Sequence, residues 1–363
     1  MEKRHYSVVS KSLYVISVEI LDGTIVECTL SSESTGQDCL DVVCQKLSLN
    51  QPKLFGLQYV SRNSDNNFCW LELDRPIKRQ LDKYARGLVV HLRVMYYVIS
   101  GVRLITDEVT RYHYFLQLKQ DVIEGRISCT PQQAVELASY SMQAEFGNFD
   151  IERHTSHYLK DFQLFPKNFT DPALLETLTD AASRQHAALH NLPQGTAEEY
   201  YICACQRLEG YGQEIYTVKD KEGRDALIGI SLTEFFVGCA GGREGRHFGL
   251  FQRLTIESVG GTERIEFQFT DVENAKNAWR FCVLQHIFYR QYEVTSGGDQ
   301  SDKGPPQPPF FQQSDIKLDK MRQMESYEDV TNLSHQWDRP VSSTQSLSQR
   351  APIYFLPRFK QTN

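Results

Sequence analysis

The string VGCAGGREGRH at 237–247 comes nearest to a catalytic motif. Cysteine-based phosphatases have a His-Cys pair, then five residues, then an Arg, because loop amides and a guanidinium must hold a phosphate dianion beside a thiolate. Here Gly238 precedes Cys239, and Arg246 follows one residue too late. A residue of chain spans about 3.3–3.6 Å, so this guanidinium would miss the thiolate. We therefore interpret the string as a glycine-rich turn between strands.

Histidine pairs are the next candidates, as metal ligands. His186 and His190 would share one helix face, as in zinc proteases, but Ala187 replaces the glutamate that activates water. A surface pair beside a loop is the better interpretation. His154 and His157 have no additional support as ligands.

Other motifs favour no enzyme chemistry. Cys203 and Cys205 lack a second cysteine pair at zinc spacing, and we interpret them as buried apolar positions at the mouth of a strand. The sequence contains no phosphate-binding loop, dinucleotide fingerprint or serine-nucleophile elbow. We predict a chain without catalytic activity that needs no cofactor or metal.

Two groups of basic residues remain. Solvated turn charges contribute little individually, and this is the first interpretation of both groups. The alternative is a site for phosphoinositide headgroups between the first and third units, where each nearby basic residue adds about 1 kcal/mol. The first group is Lys78, Arg79, Lys83 and Arg86, and in that case Lys78, Arg79 and Lys83 would contribute. The second group is Lys219, Lys221, Arg224, Arg243 and Arg246.

Length and composition exclude several classes. With 363 residues and 40% hydrophobic side chains, the chain can build two or three folded units. A net charge of -7 without a marked basic segment disfavours nucleic-acid binding. No run reaches the ~18 apolar residues of a membrane span, and we see no signal peptide. The 9 cysteines suit reduced thiols in the cytoplasm.

The elements divide the chain into four segments. In 1–98, an Asp22-Gly23 hairpin, a helix capped by Ser34 and Gln37, and three further strands predict a ubiquitin-like roll. In 99–202, helices opened near Tyr112 and by the Thr130-Pro131 and Asp171-Pro172 caps predict a helical bundle.

Residues 203–295 return to strands. Five short strands are followed by one long amphipathic helix that a Thr270/Glu273 capping box opens. This order resembles a pleckstrin-homology-like sandwich. Segment 296–363, rich in Pro, Ser and Gln, predicts a disordered tail.

A ubiquitin-like roll, an acyl-carrier-like helical bundle and a pleckstrin-like module in this order resemble a FERM domain, an α+β clover of three lobes. The resemblance covers about 80% of the chain. It rests on WLELDRPIKRQL (70–81), RYHYFLQLKQDVIEGRISC (111–129), QAEFGNF (143–149), GYGQEIYTVKD (210–220) and ENAKNAWRFCVLQHIFYR (273–290).

Within that family the chain looks most like the FERM region of the FERM-containing non-receptor tyrosine phosphatases. This closer resemblance rests on the segments ECTLSSESTGQDCL (27–40), FGLQYVS (55–61) and LDKYA (81–85). The resemblance implies a cytoplasmic adaptor at the cell cortex or junctions, which docks on tails of membrane proteins and on cytoskeletal or junctional partners. The alternative is the targeting and regulatory segment of a phosphatase whose catalytic domain is absent from this chain.

The resemblance also implies where a partner peptide would bind. In FERM relatives an extended peptide adds beside a strand of the third lobe and packs on the closing helix. Here the strand would be Phe235, Phe236 and Val237 or its neighbour, and the helix would supply Phe281 and Phe288.

Tyr327 is a candidate phosphorylation site. It lies beside acidic residues in SYEDV, within the predicted tail, where a kinase would reach it. An unmodified linker tyrosine is an equally good interpretation.

Overall fold

The computed structural model describes residues 13–62, 68–99, 102, 104–220, 222–232, 235–239, 253–257, 264–269 and 272–296, with the backbone alone in the third-lobe strands 235–239 and 253–257. Three lobes follow one another along the chain. Tyr327, the tail beyond Ser296, the Thr270 cap and most of the Cys239–Arg246 string lie outside the described residues.

The first lobe is a five-stranded sheet with two helices. The hydrophobic hairpin pattern is confirmed: Ile16 and Val18 are 1% and 0% exposed, and Gly23 makes the turn at φ 84°. The sheet order is β2-β1-β5-β3-β4, and β1 and β5 run parallel. The elements are β1 Leu13–Glu19, β2 Ile25–Ser31, α1 Gly36–Leu47, β3 Phe55–Ser61, β4 Phe68–Trp70, α2 Ile77–Tyr84 and β5 Ala85–Val94.

Two predictions in this lobe were wrong in detail. Thr35, rather than Ser34, caps α1, and its hydroxyl and the Asp38 carboxylate form the reciprocal capping box. Ser34 instead accepts a hydrogen bond from the Ser31 backbone N–H. Helix α2 was not predicted, because its segment is mostly polar and buries only Ile77, Gln80 and Leu81.

The second lobe is helical, as predicted. The Thr130 capping box with Gln133 and the Asp171 cap are both confirmed. Cys203 and Cys205 lie on a helix that was not predicted, so their placement at a strand was wrong. The helices are α3 Glu108–Ile123, α4 Pro131–Phe146, α5 Ser156–Leu159, α6 Pro172–Ala188 and α7 Gln194–Cys205.

The third lobe is a sheet closed by a long helix. Its strand order among the described residues is β8-β7-β6-β10-β9, and all its pairings are antiparallel. The helix packs its Ala275, Ala278 and Phe281 side on the sheet core. The elements are β6 Glu214–Lys219, β7 Asp225–Ile230, β8 Phe235–Cys239, β9 Arg253–Glu257, β10 Arg264–Gln268 and α8 Val272–Ser296. None of the described helices is both long and apolar enough to span a bilayer.

Candidate docking site on the third lobe

One face of α8 fastens the third lobe to the first. Phe281 stacks on Trp70 of β4, with ring centroids 6.0 Å apart. Phe288 stacks on Tyr96, which follows β5, at 4.2 Å and nearly parallel. Gly56 of β3 makes room for the Trp70 indole, since a side chain there would overlap it. The aromatic pairs therefore hold α8 against the sheet of the first lobe.

Polar contacts flank these stacks. The buried Gln285 amide donates to the Met95 backbone carbonyl at 2.8 Å. Arg280 binds one oxygen of Glu72 at 2.8 Å, and Arg75 binds the other oxygen. Since a buried amide needs its partner, Gln285 sets the register of α8 on the first lobe.

The opposite arc of α8 is open. Leu284 is 38% exposed and Ile287 is 44% exposed. They lie three residues apart and so share a helix face. Arg280 lies about one turn before Leu284 on that side, and Lys276, which pairs with Glu273 at 3.0 Å, lies about two turns before it. This arc therefore combines an apolar pair with two basic side chains, each of which is already paired with a glutamate of the chain. We call it the α8 outer face, defined by Lys276, Arg280, Leu284 and Ile287.

The predicted peptide-binding residues lie on α8 and β8, and none of them belongs to the α8 outer face. Phe281 and Phe288 are 3% and 5% exposed and face the first lobe. A peptide could contact them only by displacing Trp70 or Tyr96. Residues Phe235, Phe236 and Val237 form β8 at one end of the sheet, while α8 packs mainly on β4, β7 and β9. Leu284 and Ile287 were not singled out from the sequence, although their i, i+3 spacing was visible there.

The predicted lipid-binding residues lie on α2, and each has a neighbour that offsets its charge. Lys78 pairs with Asp82 at 2.6 Å. Arg79 lies 3.7 Å from Glu33, with both side chains 74% exposed. Lys83 lies over the Tyr84 ring at 4.7 Å; its hydrogen bond to Tyr84, and to a smaller degree Glu273, raise the pKa of Lys83. The group is basic but already partly neutralised.

The histidines that the sequence singled out are not equivalent. His186 is fully buried, so the prediction of a surface pair was wrong for it. Its Nε2 contacts the Gly147 carbonyl at 2.7 Å, and the Asp150 backbone N–H donates to His154 Nδ1 at 3.0 Å. The two rings lie 5.4 Å apart, and burial lowers the pKa of both. In the described part of the chain no three potential ligands come together for a metal.

A cleft of about 630 Å³ opens in the second lobe between the starts of α3 and α7. Arg111 binds Glu198 at 3.0 Å and Glu199 at 3.5 Å on its wall. Burial raises the pKa of Glu198, and the hydrogen bond and charge of Arg111 oppose the shift. The wall of the cleft therefore carries an ion pair in which Arg111 bridges two neighbouring glutamates.

Comparison with known families agrees with this architecture. The FERM N-terminal domain model matches residues 18–83, and the FERM central domain model matches residues 100–216. The chain is thus a three-lobed FERM clover, and it belongs to the FERM-domain family.

Its sequence is similar to human tyrosine-protein phosphatase non-receptor type 14, at 36% identity over 84% of this chain. The chain spans only 26% of that relative's length. The crystal structure of the FERM and C-terminal domain complex of Drosophila Merlin is similar in fold, with a TM-score of 0.64 and 22% identity over 78% of this chain and 98% of the other. The human myosin 7b MyTH4-FERM domain in complex with the harmonin-a PDZ3 domain has a TM-score of 0.52 and 13% identity, and covers 77% of this chain and 60% of the other.

Proposed function

We propose that this chain is a non-catalytic docking module that binds the cytoplasmic tails of membrane proteins and junctional or cytoskeletal partners at the cell cortex. In this proposal residues 1–98, 99–202 and 203–295 are the three lobes, and 296–363 is a tether. Support comes from the relatives, whose solved forms include one FERM region in complex with a C-terminal domain and one in complex with a PDZ domain.

The observation that supports the proposal is that one face of α8 is buried against the first lobe while another face is exposed. One face is covered by Trp70, Met95 and Tyr96 of the first lobe. The α8 outer face is left with an exposed apolar pair beside Lys276 and Arg280. An extended peptide that pairs with a strand of this lobe could place apolar side chains on Leu284 and Ile287 and acidic side chains near the two cations. The preferred ligand is therefore an extended apolar and acidic tail segment.

A peptide array of cytoplasmic tails, probed with the full chain, tests this proposal. We expect the double variant Leu284→Glu with Ile287→Glu to lose binding at least about tenfold, because it removes apolar contact and adds repulsion for acidic peptides. The matched control is Ile151→Glu in the second lobe, where the isoleucine is 79% exposed. Equal binding by the double variant and the control would refute docking on this face.

Phosphoinositide binding by Lys78, Arg79 and Lys83 is a second proposal, supported by their exposure on α2. Vesicles of phosphatidylcholine with and without phosphatidylinositol 4,5-bisphosphate should distinguish it, with affinity that falls steeply as salt rises. The triple alanine variant should bind less than wild type. Arg153, Lys160 and Lys167 of the second lobe form the matched control, since they include a cation over a tyrosine ring and an ion pair as well. Loss of binding in both triple variants would mean that only bulk charge matters.

The alternative function is a targeting and regulatory segment of a protein tyrosine phosphatase. The relative that is 36% identical favours it, since its name is that of a phosphatase. In both proposals this chain itself has no catalytic activity, and an aryl phosphate assay on the full chain tests that shared expectation. Turnover that disappears in Cys239→Ser would overturn the non-catalytic proposal, whereas no turnover in either form supports it.

A further inference from the structure

An ion pair between two lobes occupies one cation of the α8 outer face. Arg280 of α8 binds one carboxylate oxygen of Glu72 at 2.8 Å, and Arg75 binds the other oxygen at 2.8 Å. The Glu72 side chain is 17% exposed, whereas Arg280 is 32% and Arg75 is 61% exposed. Glu72 therefore lies between a cation of the first lobe and a cation of the third, and it is the most buried of the three. We call Glu72, Arg75 and Arg280 the Glu72 cluster.

The backbone of Glu72 is fixed by Gln80 of α2. The Glu72 N–H donates to Gln80 Oε1 at 2.8 Å, and Gln80 Nε2 donates to the Glu72 carbonyl at 2.8 Å. Gln80 is buried, so this pair of hydrogen bonds belongs to the interior. Two residues before Glu72, Trp70 stacks on Phe281, which follows Arg280 in α8. The Glu72 carboxylate is therefore held beside α8 before any ligand arrives, unlike a flexible surface side chain.

Arg280 can change its partner without loosening the two lobes. If its guanidinium turns to another carboxylate, Glu72 keeps its ion pair with Arg75, so no half-buried charge is left unpaired. The buried hydrogen bond from Gln285 to Met95 does not involve Arg280, and neither do the aromatic stacks. These contacts keep α8 on the first lobe, and an exchange of partners is therefore confined to the guanidinium.

We propose that Glu72 competes with the acidic side chain of a docked peptide for Arg280, a role that rests on the proposed function of the α8 outer face. An acidic residue of the ligand reaches this guanidinium in one of two ways: it replaces Glu72, or it shares the guanidinium donors with it. In both cases Glu72 opposes the ligand, either by occupying the donors or by repulsion between like charges. Glu72 thus lowers the affinity for acidic peptides and leaves the affinity for neutral peptides unchanged.

Lys276 does not offer the same selectivity. Its partner Glu273 lies three residues earlier on the same helix, and the two side chains are 42% and 32% exposed. An exposed pair at this spacing contributes little to stability, so a ligand displaces it with almost no loss. Arg280 instead binds a less exposed carboxylate that another lobe holds in place. Arg280 is therefore the cation at which acidic ligands are distinguished from neutral ones.

Binding of the full chain to paired probe peptides tests this competition. The probes are octapeptides of alternating valine and threonine in which one position carries glutamate or, in the paired peptide, glutamine, with that position moved along the peptide. Fluorescence anisotropy gives the ratio of the two affinities. Glu72→Gln should raise the glutamate-to-glutamine ratio about three- to tenfold and leave binding of the glutamine peptide unchanged. The same change made together with Arg280→Gln should have no effect on the ratio. Arg75→Gln should lower it, because Glu72 then depends on Arg280 alone.

The matched control is the ion pair of Glu222 and Arg224, which lie 3.1 Å apart in the turn after β6. Glu222→Gln and Arg224→Gln make the same changes in charge and should keep the wild-type ratio. A rise with Glu222→Gln, or a rise with Glu72→Gln that persists without Arg280, would assign the effect to overall charge and overturn the competition. An unchanged ratio in Glu72→Gln would overturn it as well.

Loss of the competition and loss of docking give different results. If the Leu284→Glu and Ile287→Glu double variant abolishes binding while Glu72→Gln keeps the wild-type ratio, docking stands and the competition is refuted. If no probe binds either wild type or Glu72→Gln, both are refuted. Because a misfolded variant can only bind less, the expected rise in affinity for the glutamate peptide cannot arise from damage to the fold.

Discussion

Two fastenings of opposite chemistry join the lobes: one holds the third lobe to the first, and the other holds the first lobe to the second. At α8 the contact is made by stacked aromatic rings, Phe281 on Trp70 and Phe288 on Tyr96. A buried hydrogen bond from the Gln285 side-chain amide to the Met95 carbonyl accompanies them. Between the first and second lobes the contact is made by the buried Asp121 carboxylate of α3, which accepts hydrogen bonds from Tyr97, Gln117 and Arg126. Apolar contacts are strong and non-directional, whereas a buried polar network is specific and sensitive to its protonation. The aromatic fastening should therefore contribute most of the stabilising free energy, and the polar one should fix the relative orientation.

The largest expected effect tests the aromatic fastening. Phe281→Ala should lower the free energy of unfolding by about 3–5 kcal/mol, because it removes a ring that is 3% exposed and leaves a cavity beside Trp70. Urea denaturation of the full chain measures the change. Leu284→Ala on the same helix is the matched control, with an expected cost below about 1 kcal/mol. Similar losses of unfolding free energy in Phe281→Ala and Leu284→Ala would mean that the Phe281–Trp70 stack does not stabilise the chain beyond an exposed apolar residue.

The polar fastening should respond to Asp121→Ala with a loss of about 2–4 kcal/mol, since Tyr97, Gln117 and Arg126 lose their common acceptor. The expected loss of unfolding free energy is smaller than for Phe281→Ala because the Arg126 side chain is 47% exposed and water can solvate it. Glu124→Ala removes a carboxylate from the end of the same helix, where it pairs with the exposed Lys167, and should cost about 0.5 kcal/mol. If Asp121→Ala lowers the free energy of unfolding more than Phe281→Ala does, the polar fastening, and not the aromatic one, contributes most of the stabilising free energy.

A fall in pH should destabilise the second lobe through its two buried histidines. Burial lowers the pKa of His154 and His186 in the folded state, so the unfolded chain binds more protons below about pH 6.5. Stability should then fall as pH decreases from about 6.5. Thermal unfolding at pH 7 and pH 5.5 measures this effect, and His186→Gln should flatten it while His190→Gln, on the exposed neighbour, should not. An unchanged slope in His186→Gln would exclude this origin.

The smallest effect is expected on α2. Lys78→Ala should change the free energy of unfolding by about 0.5 kcal/mol or less, because the Lys78–Asp82 pair is solvated and Lys precedes Asp, the less favourable order on a helix. A double-mutant cycle with Asp82→Ala measures the coupling. A coupling above about 1 kcal/mol would show that α2 belongs with the buried polar networks.

The sequence was sufficient for elements with clear local signals. Alternation around the Asp22-Gly23 turn and the caps at Thr130 and Asp171 each combine a pattern with a boundary. Helix α7 has neither. Ala197, Tyr200, Tyr201 and Ile202 are all buried, so no polar stripe marks it, and Pro193 at its start supplies no capping side chain.

From the sequence, the candidate site could be predicted only as a helical segment and not as a set of exposed residues. The closing helix was evident from its length and apolar residues, but the face taken by each aromatic was not. Phe281 and Phe288 find their partner rings in Trp70 and Tyr96, which local periodicity cannot connect to them. His186 is buried for a comparable reason, since its hydrogen-bond partner Gly147 lies on another element. Long-range packing decides which residues of an amphipathic helix remain free.

The Gln285–Met95 hydrogen bond closes a loop of 190 residues. A ribosome adds about 5–20 residues per second, so some 10–40 s separate the synthesis of Met95 from that of its partner. Throughout this interval Trp70 and Tyr96 lack the helix that covers them in the finished clover. A nascent first lobe therefore presents an aromatic patch to chaperones until α8 has left the exit tunnel.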